Sequence, residues 1–219
     1  MKKLVLFGDG DIAELAHYYF QNDSDYNVVG FTVDKEYRKE ARFCGLPCVD
    51  FFNIEKRFSP SEHYMFIAVS YNSMNELRSG KVQDAKGRGF KIANYVSSRA
   101  TVYPDLSANE NCFILENNTI QPFAKIGNNV TLWSGNHIGH HSVIKDNVFI
   151  TSHVVVSGGV EVGENSFIGV NATLHDHIKI APYTLIAAGA LVNKDTEDYG
   201  LYIGSPAKKS KTPSNKINL

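Results

Sequence analysis

From Val96 to Val192 the apolar positions recur with a period of six. Val96, Val102, Ala108, Ile114, Ile120, Ile126, Leu132, Ile138, Ile144, Ile150, Val156, Val162, Ile168, Leu174, Ile180, Ile186 and Val192 form one series. Two residues before these, most positions are small: Ala124, Val130, Asn136, Ser142, Val148, Val154, Val160, Ser166, Ala172, Thr184 and Ala190. A helix repeats every 3.6 residues and a strand every two, so a six-residue period marks a repeat architecture. An aliphatic side chain with a small one two places earlier suits a triangular coil of parallel strands. The large group fills the prism and the small one sits near a corner. Three hexads close one coil, so residues eighteen apart stack in columns at ~4.8 Å. This register predicts that Ile126, Ile138, Ile150, Val162 and Ile168 are buried in one column while Lys145 stays outside.

Residues 1–95 follow another rhythm. Lys3 to Phe7 reads as a buried strand, followed by a glycine turn and an apolar-periodic helix through Phe20. Further strands are expected at Tyr26–Val33, Met65–Val69 and Phe90–Tyr95, with helices at Phe51–Arg57 and Ser73–Ala85. Alternating strands and helices predict a small parallel sheet of Rossmann type. The turn Gly8-Asp9-Gly10-Asp11-Ile12-Ala13 fits G-x-G-x-x-A, and Asp34 ends the second strand, where a ribose-binding acid belongs. Asp9 and Asp11 would repel phosphates at the helix start. The unit is therefore expected to hold a nucleoside end rather than a cradled dinucleotide pyrophosphate. The same glycines also serve a plain tight turn.

Composition narrows the partners. A net charge of −1 favours neither nucleic acid nor an anionic membrane. No run of eighteen apolar residues occurs, so neither membrane insertion nor a signal peptide is expected, and the location expected is cytoplasmic. Cys44, Cys48 and Cys112 are unpatterned and read as reduced thiols, not a metal set.

Six of the eight histidines fall between His137 and His177. With Ile138 pointing inward, His140 and His141 lie at an outward corner. Stacking by eighteen sets His140 beside Gly158 and His141 beside Gly159, with Asp176 and His177 one coil further. Asp176, about 9.6 Å from His140, is too far to orient it. An amine or hydroxyl attacking a thioester must lose a proton, and imidazole suits that task near neutral pH. The developing oxyanion needs a fixed donor, and the Gly158 N–H is the candidate. Glycine there would also leave room for a thioester. His137, His153 and His175 read as solvated corner residues. His141 and His177, thirty-six residues apart, resemble the two-coil histidine pair of the γ-class carbonic anhydrases, but Pro182 stands where that resemblance would need a third ligand, and a catalytic zinc wants three.

The repeat resembles the hexapeptide repeat of left-handed β-helix acyltransferases. A short Rossmann-like unit ahead of such coils is similar to the nucleotide-sugar acetyltransferases of bacterial surface-glycan (lipopolysaccharide O-antigen) pathways. That group includes sialic acid O-acetyltransferases and 4-amino-sugar N-acetyltransferases. Phe66 to Asn72 with Arg78 is similar to its third strand and following helix start. Ile138-Gly-His140-His141 resembles its I-x-H-[D/E] motif, with His141 in place of the acid. Tyr202-Ile-Gly204-Ser-Pro206-Ala-Lys208 resembles its G-x-P-A-[K/R] ending.

The resemblance implies a homotrimer with residues 1–95 holding a nucleotide-linked sugar and 96–208 forming the acetyl-CoA-binding catalytic coil. Residues 209–219 are a polar tail, whose composition beyond Lys209 predicts mobility. It implies nucleotide contacts from Gly8, Gly10, Asp34, Ser70, Tyr71 and Asn72. Acetyl-CoA would meet Gly159, Ala187, Gly189, Gly204, Pro206 and Lys208 or Lys209; the small residues from Ala187 to Ala190 equally suit coil-on-coil packing. His140 would be the base, supported by His141, acting with Gly158 and without metal. The expected reaction is acetyl transfer to the amino group of a UDP- or dTDP-linked amino-dideoxy sugar. O-acetylation of a sialic-acid-type sugar is the alternative. A γ-carbonic-anhydrase-like zinc enzyme and a non-catalytic scaffold are remoter readings.

Overall fold

The computed structural model describes residues 1–103 and 109–217. Ala108 of the aliphatic series and the last two residues of the tail lie outside the described residues. The chain divides into two compact units, Met1–Ser70 with Leu77–Tyr95, and Tyr71–Glu76 with Val96–Leu219.

In the first unit, β1 (Lys2–Phe7) has Leu4, Val5 and Leu6 fully buried, the continuous apolar run of a strand covered on both faces. Helix α1 (Asp11–Asn22) buries Ala13, Ala16 and Phe20, one stripe at helical spacing, and carries Asp11 and Glu14 in its first turn, where the helix dipole favours acids. There follow β2 (Tyr26–Val33), β3 (Arg42–Phe43), β4 (Leu46–Asp50), a 3₁₀ turn at Phe51–Lys56, β5 (His63–Ile67), α2 (Glu76–Gly87) and β6 (Lys91–Ile92). The sheet order is β3-β4-β2-β1-β5-β6, parallel throughout except for the β3–β4 hairpin.

Several expected boundaries move. The fourth strand stops at Ile92, and the third begins at His63. The helix expected from Ser73 starts at Glu76, because Ser73, Met74 and Asn75 all take positive φ (51°, 51° and 66°), which no right-handed helix accommodates. Strand β4 was not expected: Pro47 and the polar residues around it hide the apolar pattern.

The second unit is a stack of coils. Thr119, His137, Val155, Thr173 and Leu191 pair in succession, each eighteen residues from the last. Two further faces run through Lys125–Ile126 to Lys179–Ile180 and through Phe113–Ile114 to Leu185–Ile186. Every aliphatic of the series from Ile114 to Val192 is at most 4% exposed. Val102 departs from the series at 38% exposed, because Thr101–Val102 is the edge strand of its face.

One corner is lined by an asparagine ladder. Asn111 donates to Asn129 (2.8 Å), Asn129 to Asn147 (2.9 Å) and Asn147 to Asn165 (3.2 Å). All four have positive φ, the conformation asparagine tolerates better than most residues. Asn165 then donates to the Met74 carbonyl at 2.8 Å, which ties residues 71–76 to the coil. Beyond the repeat, Leu201–Ile203 continues one face and Lys208–Lys209 folds back on it antiparallel. The tail expected to be mobile is held as far as Lys216. Ser214 is fully buried, its N–H donating to Tyr199 O (2.9 Å) and its hydroxyl to Tyr183 O (2.5 Å).

Candidate active site

The corner after the Ile138 strand gathers the histidine cluster. Phe123, His141, Gly159 and His177 stand eighteen apart and all have positive φ, so one column of left-handed turns builds this edge. Gln121 Oε1 accepts from the His140 N–H at 2.9 Å and fixes the backbone where the turn starts. His140 and His141 are exposed, with their two Nδ1 atoms 3.1 Å apart. The Phe123 ring lies against His141, centroids 4.8 Å apart.

The stacking of His140 on Gly158 is as the register predicts, but two expectations about Gly158 change. Its N–H, expected to be free for an oxyanion, donates to Asp176 Oδ1 at 3.1 Å. Asp176 acts here as Asp146 does at the next corner of the coil, six residues after His140, where it accepts from Asn128 N at 2.7 Å. The missing Gly158 side chain also does not leave a void for a thioester. A Cβ there would lie 2.7 Å from His140 Cε1 and 2.8 Å from Nε2, so the glycine makes room for the imidazole itself. Gly159 stands in the same relation to the His177 ring, and Gly135 to that of His153. His177 and His153 are therefore packed over glycines at their corners. His175 Nδ1 lies 3.4 Å from the Asp176 carbonyl oxygen.

Gln121 and Phe123 were missed from sequence. Phe123 was findable, since it sits one coil before His141; Gln121 carries no signal beyond its nearness to the same corner. Among the described residues, no three His, Cys, Asp or Glu side chains come together as a metal site.

At the far end of the coil, Gly204 lies in the left-handed region (φ 96°) and its carbonyl accepts from Leu191 N at 3.0 Å. The two candidate counter-charges separate. Lys209 is ion-paired with Glu197 at 2.5 Å, whereas Lys208 has no ion pair among the described residues. A Cβ on Gly189 would meet nothing within 4 Å. Ala187 and Ala188 instead touch the position a Gly169 Cβ would occupy, so coil-on-coil packing explains part of that small-residue run.

In the first unit Gly8 is required by close approach: its φ is 135°, and a Cβ there would lie 2.5 Å from the Ala68 carbonyl oxygen. A Cβ on Gly10 would meet nothing. Asp34, expected to be open for a ribose, already holds Lys81 through both oxygens (2.9 and 2.8 Å). The same ammonium lies 5.3 Å from the Phe7 ring and 5.4 Å from Phe51. Asp9, Asp11, Glu14 and Glu40 line one groove with Lys39 and Arg42, an excess of acid. Burial there, with help from Asp9, pushes the Cys48 thiol up to about 11. A separate groove carries Lys35, Arg38, Lys56 and Arg57, none ion-paired among the described residues, against Asp50. Of the remaining nucleotide candidates, Ser70 is half-buried and ends the first stretch of the first unit. Asn72 is exposed and belongs to the coil unit, as does Tyr71, whose ring is committed to Phe149 (4.9 Å) and Phe167 (4.8 Å).

Residues 123–158, two full coils that include His140 and Gly158, match the family model described as bacterial transferase hexapeptide (six repeats). Over these residues, which include the candidate site, the chain is similar to that family. Its fold is shared with several proteins of known structure. A variant of perosamine N-acetyltransferase from Caulobacter crescentus, in complex with CoA and GDP-perosamine, superimposes with a TM-score of 0.86 at 23% identity over 97% of this chain and 98% of the other. The acetyltransferase domain of PglB from Neisseria gonorrhoeae gives 0.80 at 20% identity, covering 96% of this chain and 100% of that one. WeeI from Acinetobacter baumannii gives 0.72 at 16%, with 96% and 100% covered. No helix among the described residues is long and apolar enough to cross a membrane.

Proposed function

We propose that this chain is an acetyl-CoA-dependent N-acetyltransferase acting on a nucleotide-linked amino-deoxy sugar, with His140 as general base. The observation that carries the reading is the corner itself: an exposed imidazole seated over a glycine, inside the matched repeat. The whole-length likeness to perosamine N-acetyltransferase supports it. The sugar amine attacks the thioester carbonyl, a C–N bond forms, and the C–S bond breaks. His140 takes the amine proton and returns it to the departing thiolate, so protons balance over one turnover. If the Gly158 N–H serves the oxyanion, it must first leave Asp176, a cost that a donor already aimed at the oxyanion avoids.

From the level of His140 to that of Lys194, three coils up the same column, is about 14 Å, which an extended pantetheine arm spans. Lys208, which has no ion pair among the described residues, rather than Lys209, is the cation for a CoA phosphate. The first unit is read as a Rossmann-like nucleotide holder. Its strand order supports this, reversing direction at β1 where such sheets bind ligands. The unpaired cations at Lys35, Arg38, Lys56 and Arg57 suit a diphosphate better than the acid-rich groove at Asp9 and Asp11. The base is left open among uracil, thymine and guanine, since the neighbour's ligand is GDP-linked. A homotrimer with sites between coils, in the cytoplasm, completes the reading; the exposed Phe123 and Val155 on the coil suit a covered surface.

The test is incubation with acetyl-CoA and UDP-, dTDP- and GDP-linked amino-deoxy sugars, following thiol release and the mass of the sugar product. One sugar gaining an acetyl group on nitrogen is the expected result. Acetylation of hydroxyls only would select the O-acetyltransferase reading, and no transfer to any sugar would reject both.

A further inference from the structure

We infer that Asp176 selects an amine over a hydroxyl by holding the substrate's ammonium group beside His140. The inference rests on the acetyltransferase reading and names the class of acceptor that the corner takes. His140 and Asp176 stand two coils apart in one column, yet their side chains converge on the glycine between them. His140 Nε2 lies 2.8 Å from the place of a Gly158 Cβ, and Asp176 Oδ1 lies 3.1 Å from Gly158 N. With a glycine N about 2.5 Å from its Cβ position, Nε2 and Oδ1 are at most about 8.4 Å apart. An ammonium hydrogen-bonded to both spans about 5.5 Å, within that limit, and both residues are exposed. Asp176 is too far to orient the imidazole but near enough to share a substrate with it.

Capping Gly158 does not use up this carboxylate. Asp146, its counterpart at the next corner, has both oxygens approached by Asn128 Nδ2 (3.4 and 3.3 Å). Asp176 caps a glycine, which has no such side chain, and among the described residues its Oδ2 accepts from no donor and it forms no ion pair. The titratable groups around it are His140, His141, His175 and His177. Lys194, next in the column, has no ion pair among the described residues, and neighbouring Asp195 accepts from Lys179 N at 2.8 Å. An amine flanked by carbon–oxygen bonds is largely cationic near pH 7, as an α-amino group of pKa about 8 is, whereas a hydroxyl is neutral. Ammonium is also a stronger donor than a peptide N–H. It therefore competes for Asp176 and loosens the hold on the Gly158 N–H that the oxyanion needs. The bound ammonium gives one proton to solvent before attack, and the neutral amine then follows the proton path through His140 to the thiolate.

Asp176→Asn keeps an acceptor for Gly158 N–H and removes the charge, so a cap alone predicts no change. The probes are the UDP-, dTDP- and GDP-linked amino-deoxy sugars and the same sugars with hydroxyl in place of the amine. Each is titrated calorimetrically without acetyl-CoA and turned over with it. Imidazoles change charge below about pH 7, so the comparison runs at about pH 7.5 and about pH 9.5, between which the substrate amine loses its proton. At the lower pH the variant should bind the acetylated amino sugar about three- to tenfold more weakly, with a matching rise in its KM and no change in KM for acetyl-CoA. At the higher pH the two proteins should converge, and the hydroxyl sugar should not distinguish them at either pH. Unchanged amino-sugar affinity and KM at the lower pH overturn the proposal, as does a loss equal at both pH values or shared by the hydroxyl sugar. Each of these results leaves acetyl transfer standing. A wild type that acetylates no amino sugar rejects the function and this proposal together.

Discussion

Gly158→Ala separates the chemistry of the corner from its folding. A methyl at Gly158 would sit 2.7 Å from His140 Cε1 and 2.8 Å from Nε2, against roughly 3.5–4.0 Å for comfortable carbon contact. The imidazole must therefore withdraw by about 0.7–1.3 Å. It can do so, because it is an exposed side chain rather than backbone. Gly158 also does not have a left-handed φ, so alanine is not strained there. Stability should fall by less than about 1 kcal/mol, within the range of tolerated substitutions. A displacement of about 1 Å at a reacting group costs on the order of 10² in rate, about 2.7 kcal/mol of barrier. Gly159→Ala is the contrast. Its φ of 66° and its contact with the His177 ring put the cost into folding, roughly 1–2 kcal/mol. Steady-state thiol release gives kcat, and urea unfolding gives stability. A Gly158→Ala enzyme with wild-type kcat would refute the placement of His140 as the reacting base.

Ile150→Asp places a carboxylate in a fully buried column and should prevent folding of the coil unit; a soluble variant that unfolds cooperatively would break the register. Lys145→Ala, by contrast, removes a half-exposed ion pair with Glu161 (2.5 Å) and should cost under about 0.5 kcal/mol by urea titration. The Lys145 hydrogen bond holds Glu161 below its ordinary range, so that small contribution is present above the unfolded pKa and disappears as pH falls through the folded one. Asp34→Ala should raise KM for the nucleotide sugar and leave that for acetyl-CoA nearly unchanged. It should also lower stability by about 1 kcal/mol, since Lys81 is left with its longer, more exposed ion pair to Asp84 (3.6 Å), and equal effects on both KM values would oppose the division of labour. Lys208→Glu should raise KM for acetyl-CoA several-fold with kcat kept, and an unchanged KM would remove Lys208 from the phosphate site.

The coil was legible because its determinants are local and periodic. Ile114 to Val192 repeat one environment, so one inference about Ile138 places every residue at its corner, including His140 over Gly158. What the period does not carry is where hydrogen bonds end. Asp176 capping Gly158 N–H, and His140 turning its Nδ1 to His141, depend on rotamers that spacing leaves open. The first unit was harder to read for a different reason. The apolar pattern of strand β4 is broken by Pro47, and the left-handed run at Ser73–Asn75 uses residues that elsewhere begin helices. Asp34 shows the limit of a motif: its place after β2 was predicted, but Lys81, 47 residues later, was not visible as its partner.

The most direct measurement is kcat for His140→Ala beside the dissociation constant for acetyl-CoA. Truncation removes the imidazole while leaving the backbone bond to Gln121 in place. The account predicts a fall in kcat of roughly 10²–10⁴, the worth of a positioned general base, with acetyl-CoA bound as tightly as before. Full kcat in His140→Ala would contradict it, and would do so most sharply if His141→Ala or His153→Ala abolished turnover instead.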